Sequence, residues 1–317
     1  MQKCLFCYCR RNNFSVLNKK KKGLIIKMNN AEKNKYWIWF TLIEGLKNKT
    51  KQELLKKYKT PEKIFNLNKK DLEKIPNIKE KEIERITDKK YKEIINKHIE
   101  YMNKQNIQII TIEDKEYPKN LKEIYDYPIS LYIKGNKNIL NKEQNIGIIG
   151  CREHSEYGKK CALYFSYNLA KQNVIITSGL AKGIDSFSHI GTIEAKGQTI
   201  AVLGNGLDTI YPKENEKLAN KIIENNGAII SEYPIGTKPE KMNFPERNRI
   251  ISGISKGIIV IEAKKKSGTM LTVDFALEQG KDIYAVPGNI NNINSTGTNE
   301  LIKQGAKLVT HYTEIEI

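Results

Sequence analysis

Glycines, hydroxyl residues and cations follow the strand-like runs in the second half of this chain. The stretches concerned are GCRE at 150–153, SGLAKGID at 178–185, NFPERNR at 243–249 and SGTMLT at 267–272. Glycine lets the backbone approach an anion closely, helix starts supply N–H donors, and arginine matches two phosphate oxygens at once. These residues therefore favour phosphate binding. The candidate residues are Gly150, Arg152, Ser178, Gly179, Lys182, Gly183, Arg247, Asn248, Arg249, Ser267, Gly268 and Thr269.

An alternating series of strands and helices must position these stretches. Apolar runs predict strands at Ile146–Ile149, Val174–Thr177, Thr199–Leu203, Ala228–Ile230, Gly257–Ile261, Ile283–Val286 and Lys307–Val309. Helices are predicted at Tyr157–Lys171, Ile184–Lys196, Glu216–Asn225, Glu246–Ser255, Leu271–Gln279 and Glu300–Gln304. The alternation predicts an α/β fold with a doubly wound, mostly parallel sheet. Ligands of such sheets bind beyond the carboxyl ends of the strands, which is where the candidate residues fall.

A helical region precedes the α/β series. Between residues 36 and 105, apolar residues recur every three or four positions, and short polar breaks separate the runs. Thr60 and Asn68 suit helix caps, and Pro61 suits a first turn. One segment, IPNIKEKEIERI, faintly resembles a helix-hairpin-helix but lacks its turn glycines, so a plain helical bundle is favoured. We predict a small all-helical domain over 28–105 and the α/β domain over 106–317.

The first 27 residues differ from the rest of the chain. They contain eight basic residues and no acidic one, and their apolar patches are too short for a signal peptide or a membrane span. We predict that residues 1–27 are a disordered or non-native extension, with Met28 as the initiator. The five cysteines are few and unevenly placed, which indicates a reducing compartment. We therefore expect a soluble, cytoplasmic protein with no membrane partner.

The net charge of +18 is concentrated in the N-terminal half. Residues 145–317 hold 20 of the 54 basic residues and 18 of the 36 acidic ones, so the basic excess lies before residue 145. A basic balance favours polyanionic partners, but lysines also keep helices in solution. For the lysine-rich helical region we favour the second interpretation.

The two arginines of NFPERNR allow two interpretations. Arg247 and Arg249 fall near a predicted helix start, where the helix dipole disfavours cations unless they share an anion. Alternatively, one of them pairs with Glu232 or Glu262 and braces the edge of the sheet. Both interpretations are open from the residues alone.

The motifs of common catalytic and nucleotide-binding sites are missing from the sequence. GIIGCREHSEYG is not a dinucleotide-binding fingerprint, and there is no Walker sequence, no G-x-S-x-G and no clustered histidines. Asp185 and His189 lie four residues apart on a predicted helix, an arrangement that is more often structural than catalytic. We predict no catalytic residue, no metal site and no cofactor.

Seven blocks of sequence carry a specific resemblance. GIIGCREHSEYG, TSGLAKGIDSFSH, AVLGNGLDTIYP, SEYPIGTKP, FPERNRIISG, SGTMLTVDFALEQGKDIYAVPGN and GTNELIKQGAKLV resemble, in order and spacing, the DNA-processing protein A (Smf) family of bacteria. The resemblance covers roughly residues 106–310. It implies an extended Rossmann-like domain that binds single-stranded DNA, preceded by a small helical domain similar to a sterile alpha motif. It also implies homodimers that load the RecA recombinase onto incoming DNA during natural transformation.

The resemblance also implies a basic pocket. The family's pocket falls on Arg152, Lys182, Arg247 and Arg249. At two positions this chain departs from the family pattern: Cys151 stands where serine is usual, and Lys182 where arginine is usual.

Three functions are weighed on these residues. The first is a non-enzymatic protein that binds single-stranded DNA. The second is a Rossmann-like nucleotide-processing hydrolase of the lysine-decarboxylase-like group, suggested by the helix start SGTMLT; the sequence lacks that group's Pro-Gly-Gly-x-Gly-Thr block and its Glu–Arg pair. The third is a protein-interaction scaffold with a vestigial pocket, which predicts no DNA binding.

Overall fold

A computed structural model describes residues 34–76 and 78–317 of the chain. The prediction for residues 1–27 therefore lies outside the described residues. The described chain forms two compact units, one of residues 34–46 and 53–99 and one of residues 47–52 and 100–317. The domain bounds drawn from the sequence, 28–105 and 106–317, stay a prediction. None of the helices in the described residues is long and apolar enough to cross a membrane.

The first unit is helical and packs around aromatic side chains. Trp37, Trp39 and Phe40 are fully buried, and the Trp39 ring meets the Phe65 ring edge-on at 5.1 Å between centroids. The side chains of Thr60 and Asn68 each accept a backbone N–H three residues further on, which confirms both predicted caps. The helices between residues 34 and 104 are α1 (residues 34–42), α2 (Asn48–Tyr58), α3 (Pro61–Phe65), α4 (Lys69–Glu73), α5 (Glu80–Thr87), α6 (Lys89–Glu93) and α7 (Ile95–Lys104).

The second unit is built on a nine-stranded sheet, all of which lies within the described residues 100–317. Its order is β1-β2-β6-β5-β4-β3-β7-β8-β9. The two pairs β1–β2 and β2–β6 are antiparallel and every other pair is parallel. The strands are β1 (Gln108–Thr111), β2 (Ser130–Gly135), β3 (Asn145–Ile149), β4 (Ile175–Ser178), β5 (Thr199–Val202), β6 (Ala228–Ser231), β7 (Gly257–Val260), β8 (Asp282–Ala285) and β9 (Lys307–Leu308). The prediction of a mostly parallel sheet is confirmed.

Strand β3 marks the point where the strand order reverses. It pairs with β4 on one side and with β7 on the other. The chain moves outward from β3 through β4, β5 and β6, and then crosses to β7, β8 and β9. The carboxyl ends of β3 and β7 therefore flank the crevice in which doubly wound sheets bind ligands.

Helices cover both faces of this sheet. Ile146 and Ile148 pack with Phe165 of the following helix, whereas Ile149 belongs to the opposite layer with Ile250. Because successive side chains of a strand point to opposite faces, continuous apolar runs fill both layers. The helices are α8 (Lys119–Lys122), α9 (Glu156–Lys171), α10 (Ile184–Glu194), α11 (Glu216–Glu224), α12 (Asn243–Ile254), α13 (Gly268–Glu278) and α14 (Thr296–Lys303).

Two helices at the candidate site begin earlier than the sequence predicted. Helix α12 begins at Asn243 rather than Glu246, and α13 begins at Gly268 rather than Leu271. Pro245 is accommodated as the third helical residue because the first N–H groups of a helix have no intrahelical partner to lose. Arg247 and Arg249 consequently lie in the second turn of α12 and not in its first turn.

Candidate functional site

The loops that follow β3 and β4 lie directly against each other at the carboxyl edge of the sheet. Gly183 has a φ of 78°, and a side chain there would collide with the carbonyl oxygens of Cys151 and Arg152. The N–H of Ile184 donates to the Cys151 carbonyl at 3.3 Å. Glycine at 183 thus permits both the left-handed backbone and the close approach. The approach brings the loops that carry Arg152 and Lys182 together.

Arg152 and Lys182 are the predicted cations that reach solvent. Both residues are exposed. The Arg152 guanidinium lies 5.9 Å from the centroid of the Phe244 ring, and Lys182 Nζ lies 2.8 Å from a carboxylate oxygen of Glu214. The Lys182 and Glu214 side chains are 56% and 55% exposed, so water screens this pair and it stabilises the fold very little.

Two aromatic side chains that the sequence did not single out lie at this edge, and one of them stands beside Arg152. The rings of Tyr211 and Phe244 are 5.5 Å apart with an interplanar angle of 38°, and Tyr211 is 43% exposed. Each precedes a proline in a loop or helix start after a strand, in the stretches IYP and NFP. An aromatic residue held there beside cations is a signal that could have found them, because such rings offer faces for nucleobases. We call Arg152, Lys182, Tyr211 and Phe244 the rim cluster.

Arg247 points into the protein beneath this edge. It is 5% exposed, and Nη1 donates to the Gly179 carbonyl at 2.7 Å and to the Val202 carbonyl. Its Nε donates to the Asn248 side chain at 3.2 Å. Burial lowers the pKa of Arg247 to about 10, while the nearby carboxylate of Asp185 opposes that shift. Arg247 remains charged at neutral pH.

Arg249 is also buried, and it is held by two carboxylates. Its Nη2 lies 2.6 Å from Glu232 and its Nε 3.1 Å from Asp126. Burial alone would lower the pKa of Arg249, but Glu232 and Asp126 raise it above its ordinary value. The interpretation in which one arginine pairs with Glu232 and braces the sheet edge is therefore observed for Arg249, because both partners lie within reach of the second turn of α12.

The predicted hydroxyl residues face different surroundings. Ser178 is fully buried, and its hydroxyl donates to the Ile148 carbonyl at 2.7 Å, so it braces β4 against β3. Ser267 precedes the first residue of α13 and makes no capping hydrogen bond with its side chain, and Gly268 beside it is exposed. Thr269, in the first turn of α13, is 9% exposed. Of the three hydroxyls, Ser178 is turned away from the edge.

Two remaining predicted residues shape the backbone of the site. A side chain at Gly150 would collide with Ile184, so glycine allows β3 to end against the start of α10. The amide of Asn248 donates to the Gly268 carbonyl at 3.4 Å, which connects α12 to the start of α13. The sheet thus gathers all the predicted residues along one edge, but only Arg152, Lys182 and Gly268 among them are exposed.

The cysteine at the family's serine position turns toward a buried carboxylate. Cys151 Sγ lies 3.5 Å from Glu262 and 3.3 Å from the Glu153 carbonyl. Burial, reinforced by Glu262, raises the pKa of the Cys151 thiol to about 12. Glu262 is 1% exposed and also accepts the N–H of Ser155 at 2.9 Å. The side chain at 151 therefore supports the loop and does not point out of the site.

The pair Asp185 and His189 is part of the interior. His189 is fully buried, and its Nδ1 lies 2.7 Å from the Thr199 hydroxyl. Burial lowers the pKa of His189 to about 3, so the ring is neutral at physiological pH. Asp185 is 7% exposed and accepts the N–H of Gly179 at 3.2 Å. This geometry agrees with the structural interpretation of the pair.

Comparison with known proteins places the chain in a family. Residues 108–316 match the model of DNA recombination-mediator protein A. The chain belongs to this family. The resemblance to the DNA-processing protein A (Smf) family is thereby confirmed. Protein Smf of Escherichia coli is 43% identical over 221 residues, and DNA processing protein DprA of Bacillus subtilis is 45% identical over 206 residues.

The matched parts of the relatives differ in extent. The match covers 70% of this chain and 59% of the Escherichia coli protein, and 65% of this chain and 69% of the Bacillus subtilis protein. The X-ray structure of DNA processing protein A from Streptococcus pneumoniae superposes with a TM-score of 0.77 at 35% identity, covering 89% of this chain and 98% of that one. DNA processing protein A from Helicobacter pylori, whose structure describes a single-stranded DNA binding mode, gives a TM-score of 0.59 at 32% identity over 65% and 93% of the two chains. The Rossmann-like fold of the family is thus confirmed.

Proposed function

We propose that this protein binds single-stranded DNA at the carboxyl edge of its sheet and acts in DNA processing. The observation that carries the proposal is the rim cluster, in which two exposed cations share one edge of the sheet with a pair of aromatic rings. The Arg152 guanidinium is 5.9 Å from the Phe244 ring centroid, and the Tyr211 ring is 5.5 Å from Phe244. Cations attract the phosphates, and aromatic faces stack with bases.

The combination favours an unpaired strand over a duplex. In a duplex the base faces are stacked within the helix and cannot reach Tyr211 or Phe244, whereas single strands offer them freely. Stacking on an aromatic side chain stabilises binding by about 1–3 kcal/mol per base. The described binding mode of the Helicobacter pylori relative supports the same ligand.

The family supports a finer proposal about assembly and role. We infer that the protein is a homodimer in the cytoplasm, protects incoming DNA, and loads a RecA-type recombinase onto the bound strand during natural transformation or recombination. We also propose that it is not an enzyme and needs no cofactor. The burial of Asp185 and His189 supports a binding role, because neither side chain is placed to exchange a proton with a ligand at the rim.

The proposal is tested by fluorescence anisotropy with labelled single-stranded and duplex oligonucleotides over a series of salt concentrations. We expect the single strand to bind more tightly, with a log–log salt slope of about −0.7 for each phosphate neutralised. The double variant Arg152→Ala/Lys182→Ala should lose affinity for all sequences alike and lose up to about 1.4 from the slope. A matched control, Lys142→Ala/Lys171→Ala, removes two exposed charges near the amino ends of the strands and should bind as the wild type does.

Three results would contradict the proposal. Equal affinity for single-stranded and duplex DNA would mean that the aromatic rings do not stack with bases. No binding at all would favour an interaction scaffold. Release of free base from a nucleoside monophosphate, absent in the Arg152→Ala variant, would favour the nucleotide-processing hydrolase.

A further inference from the structure

The loop from Gly179 to Gly183 is anchored at its first residue from two sides. The Gly179 carbonyl accepts from Arg247 Nη1 at 2.7 Å, and the Gly179 N–H donates to Asp185 Oδ2 at 3.2 Å. A side chain at Gly179 would meet both the guanidinium and the carboxylate at 2.7 Å. The peptide at 179 is thus enclosed between two buried side chains of opposite charge.

Arg247 also connects this loop to the neighbouring strand. The same Nη1 donates to the carbonyl of Val202, the last residue of β5. Since Arg247 is itself carried by α12, one guanidinium joins the carboxyl ends of β4 and β5 to that helix. Lys182 lies three residues beyond Gly179 on the anchored loop, and Gly183 then contacts the backbone of Arg152.

We propose that Arg247 and Asp185 are positioning residues, which hold the loop from Gly179 to Gly183 so that Lys182 and Arg152 face the DNA, and that neither touches a phosphate. The inference rests on the proposed function, because it assigns roles within the DNA site. It differs from the sequence prediction for Arg247, which was a direct contact with the phosphate. It also gives Asp185 a role that its sign of charge would not suggest.

The first test asks whether the loss of a negative charge raises or lowers the affinity for single-stranded DNA. Asp185→Asn and Glu214→Gln each remove one negative charge from the same edge of the sheet. If charge alone mattered, both would raise affinity for single-stranded DNA, by about twofold each. We expect Glu214→Gln to raise it, because Lys182 is freed from its 2.8 Å partner. We expect Asp185→Asn to lower affinity by about tenfold, because Arg247 then lies buried without the neighbouring carboxylate and holds the loop less firmly.

The salt slope provides the second test. Loss of a direct phosphate contact lowers the magnitude of the slope by about 0.7, whereas loss of a positioning residue weakens binding without changing the number of phosphates neutralised. We expect Arg152→Ala to change the slope and Arg247→Gln, which also removes one charge, to leave it unchanged, although both weaken binding. Arg247→Lys keeps the charge and loses the forked geometry that serves two carbonyls and Asn248. A lysine that restored full affinity would contradict the proposal.

The outcomes separate this inference from the proposed function. If the wild-type protein fails to bind single-stranded DNA, the proposed function is wrong. If the wild type binds and Asp185→Asn binds more tightly, or Arg247→Gln shows the slope change of Arg152→Ala, only the positioning role is wrong. Urea denaturation and circular dichroism of each variant establish that it is folded. Should the Arg247 variants not fold, Asp185→Asn, which keeps an acceptor for the Gly179 N–H, decides between the two roles.

Discussion

Replacing Arg249 by methionine tests whether the second arginine of α12 braces the protein or contacts DNA. Arg249→Met keeps the length of the side chain and removes its charge. The change leaves Glu232, whose side chain is 9% exposed, without the guanidinium 2.6 Å away. Removing one partner of a buried ion pair costs about 3–5 kcal/mol because the other charge stays buried.

The contact of Arg249 with Asp126 contributes less to the free energy of unfolding than its contact with Glu232. Its side chain is 46% exposed, so it can turn to water when Arg249 is lost, and an exposed pair contributes at most about 1 kcal/mol. Asn48 Nδ2 also donates to Glu232 at 3.1 Å and continues to support the carboxylate. We therefore expect a loss near the lower limit, about 3 kcal/mol in the free energy of unfolding. For a unit of this size that corresponds to a fall of about 6–12 °C in Tm.

Urea denaturation of Arg249→Met, Glu232→Gln and the double variant measures the change in the free energy of unfolding. The double variant should be less destabilised than the two single changes added together, because neither Arg249 nor Glu232 is then left buried without the other. The salt slope of DNA binding should match that of the wild type. The reasoning is refuted if Arg249→Met keeps the wild-type free energy of unfolding within about 0.5 kcal/mol and loses about 0.7 from the slope, since Arg249 would then face a phosphate.

Three further variants test individual contacts. Phe244→Leu should weaken single-stranded DNA binding by about 1–3 kcal/mol in anisotropy titrations with no change in salt slope, because a stacking surface is lost and no charge is; an unchanged affinity would contradict stacking. Gly183→Ala should lower the free energy of unfolding by about 1 kcal/mol or more in urea, because alanine meets the carbonyls of Cys151 and Arg152 at a φ of 78°; wild-type stability would argue against this contact. The pKa of His189 is about 3 in the folded protein and 6.5 ordinarily. As the pH falls below 6.5, the unfolded chain therefore takes up a proton at this residue before the folded protein does. The free energy of unfolding should fall by about 1.4 kcal/mol per pH unit toward pH 3. His189→Gln should lack this component when urea midpoints are compared at pH 7 and pH 5, and identical pH dependence of the two proteins would contradict it.

The strands were predictable because their apolar runs are long and bounded by glycine or polar residues. The predicted strand Ile146–Ile149 becomes Asn145–Ile149, and Thr199–Leu203 becomes Thr199–Val202. Once the strands alternate with helices, the carboxyl edge follows from topology. The placement of the candidate residues along one edge could therefore be inferred without coordinates.

The direction of the side chains could not be inferred in the same way. Arg247 and Arg249 were expected near a helix start because the predicted helix began at Glu246. The helix begins at Asn243, so both arginines lie in its second turn, where both are buried. Ser178 ends a strand whose side chains alternate between faces, so a shift of one residue decides whether its hydroxyl meets Ile148 or a ligand. Tyr211 and Phe244 were not singled out because they lie 33 residues apart in the sequence, and only the fold brings their rings to 5.5 Å.

The buried guanidinium of Arg247 also offsets negative partial charge that would repel a phosphate at this edge. The carboxyl ends of parallel strands present carbonyl oxygens, here those of Gly179 and Val202, whose partial negative charge opposes an approaching phosphate. Arg247 donates to both, so these two acceptors are satisfied by a cation before any ligand arrives. Asp185 lowers the free-energy cost of burying that cation, because an uncompensated charge in the interior would be strongly unfavourable. A direct contact from Arg247 to DNA would have to reach a guanidinium that is 5% exposed, whereas Arg152 and Lys182 are exposed and can bind phosphate directly.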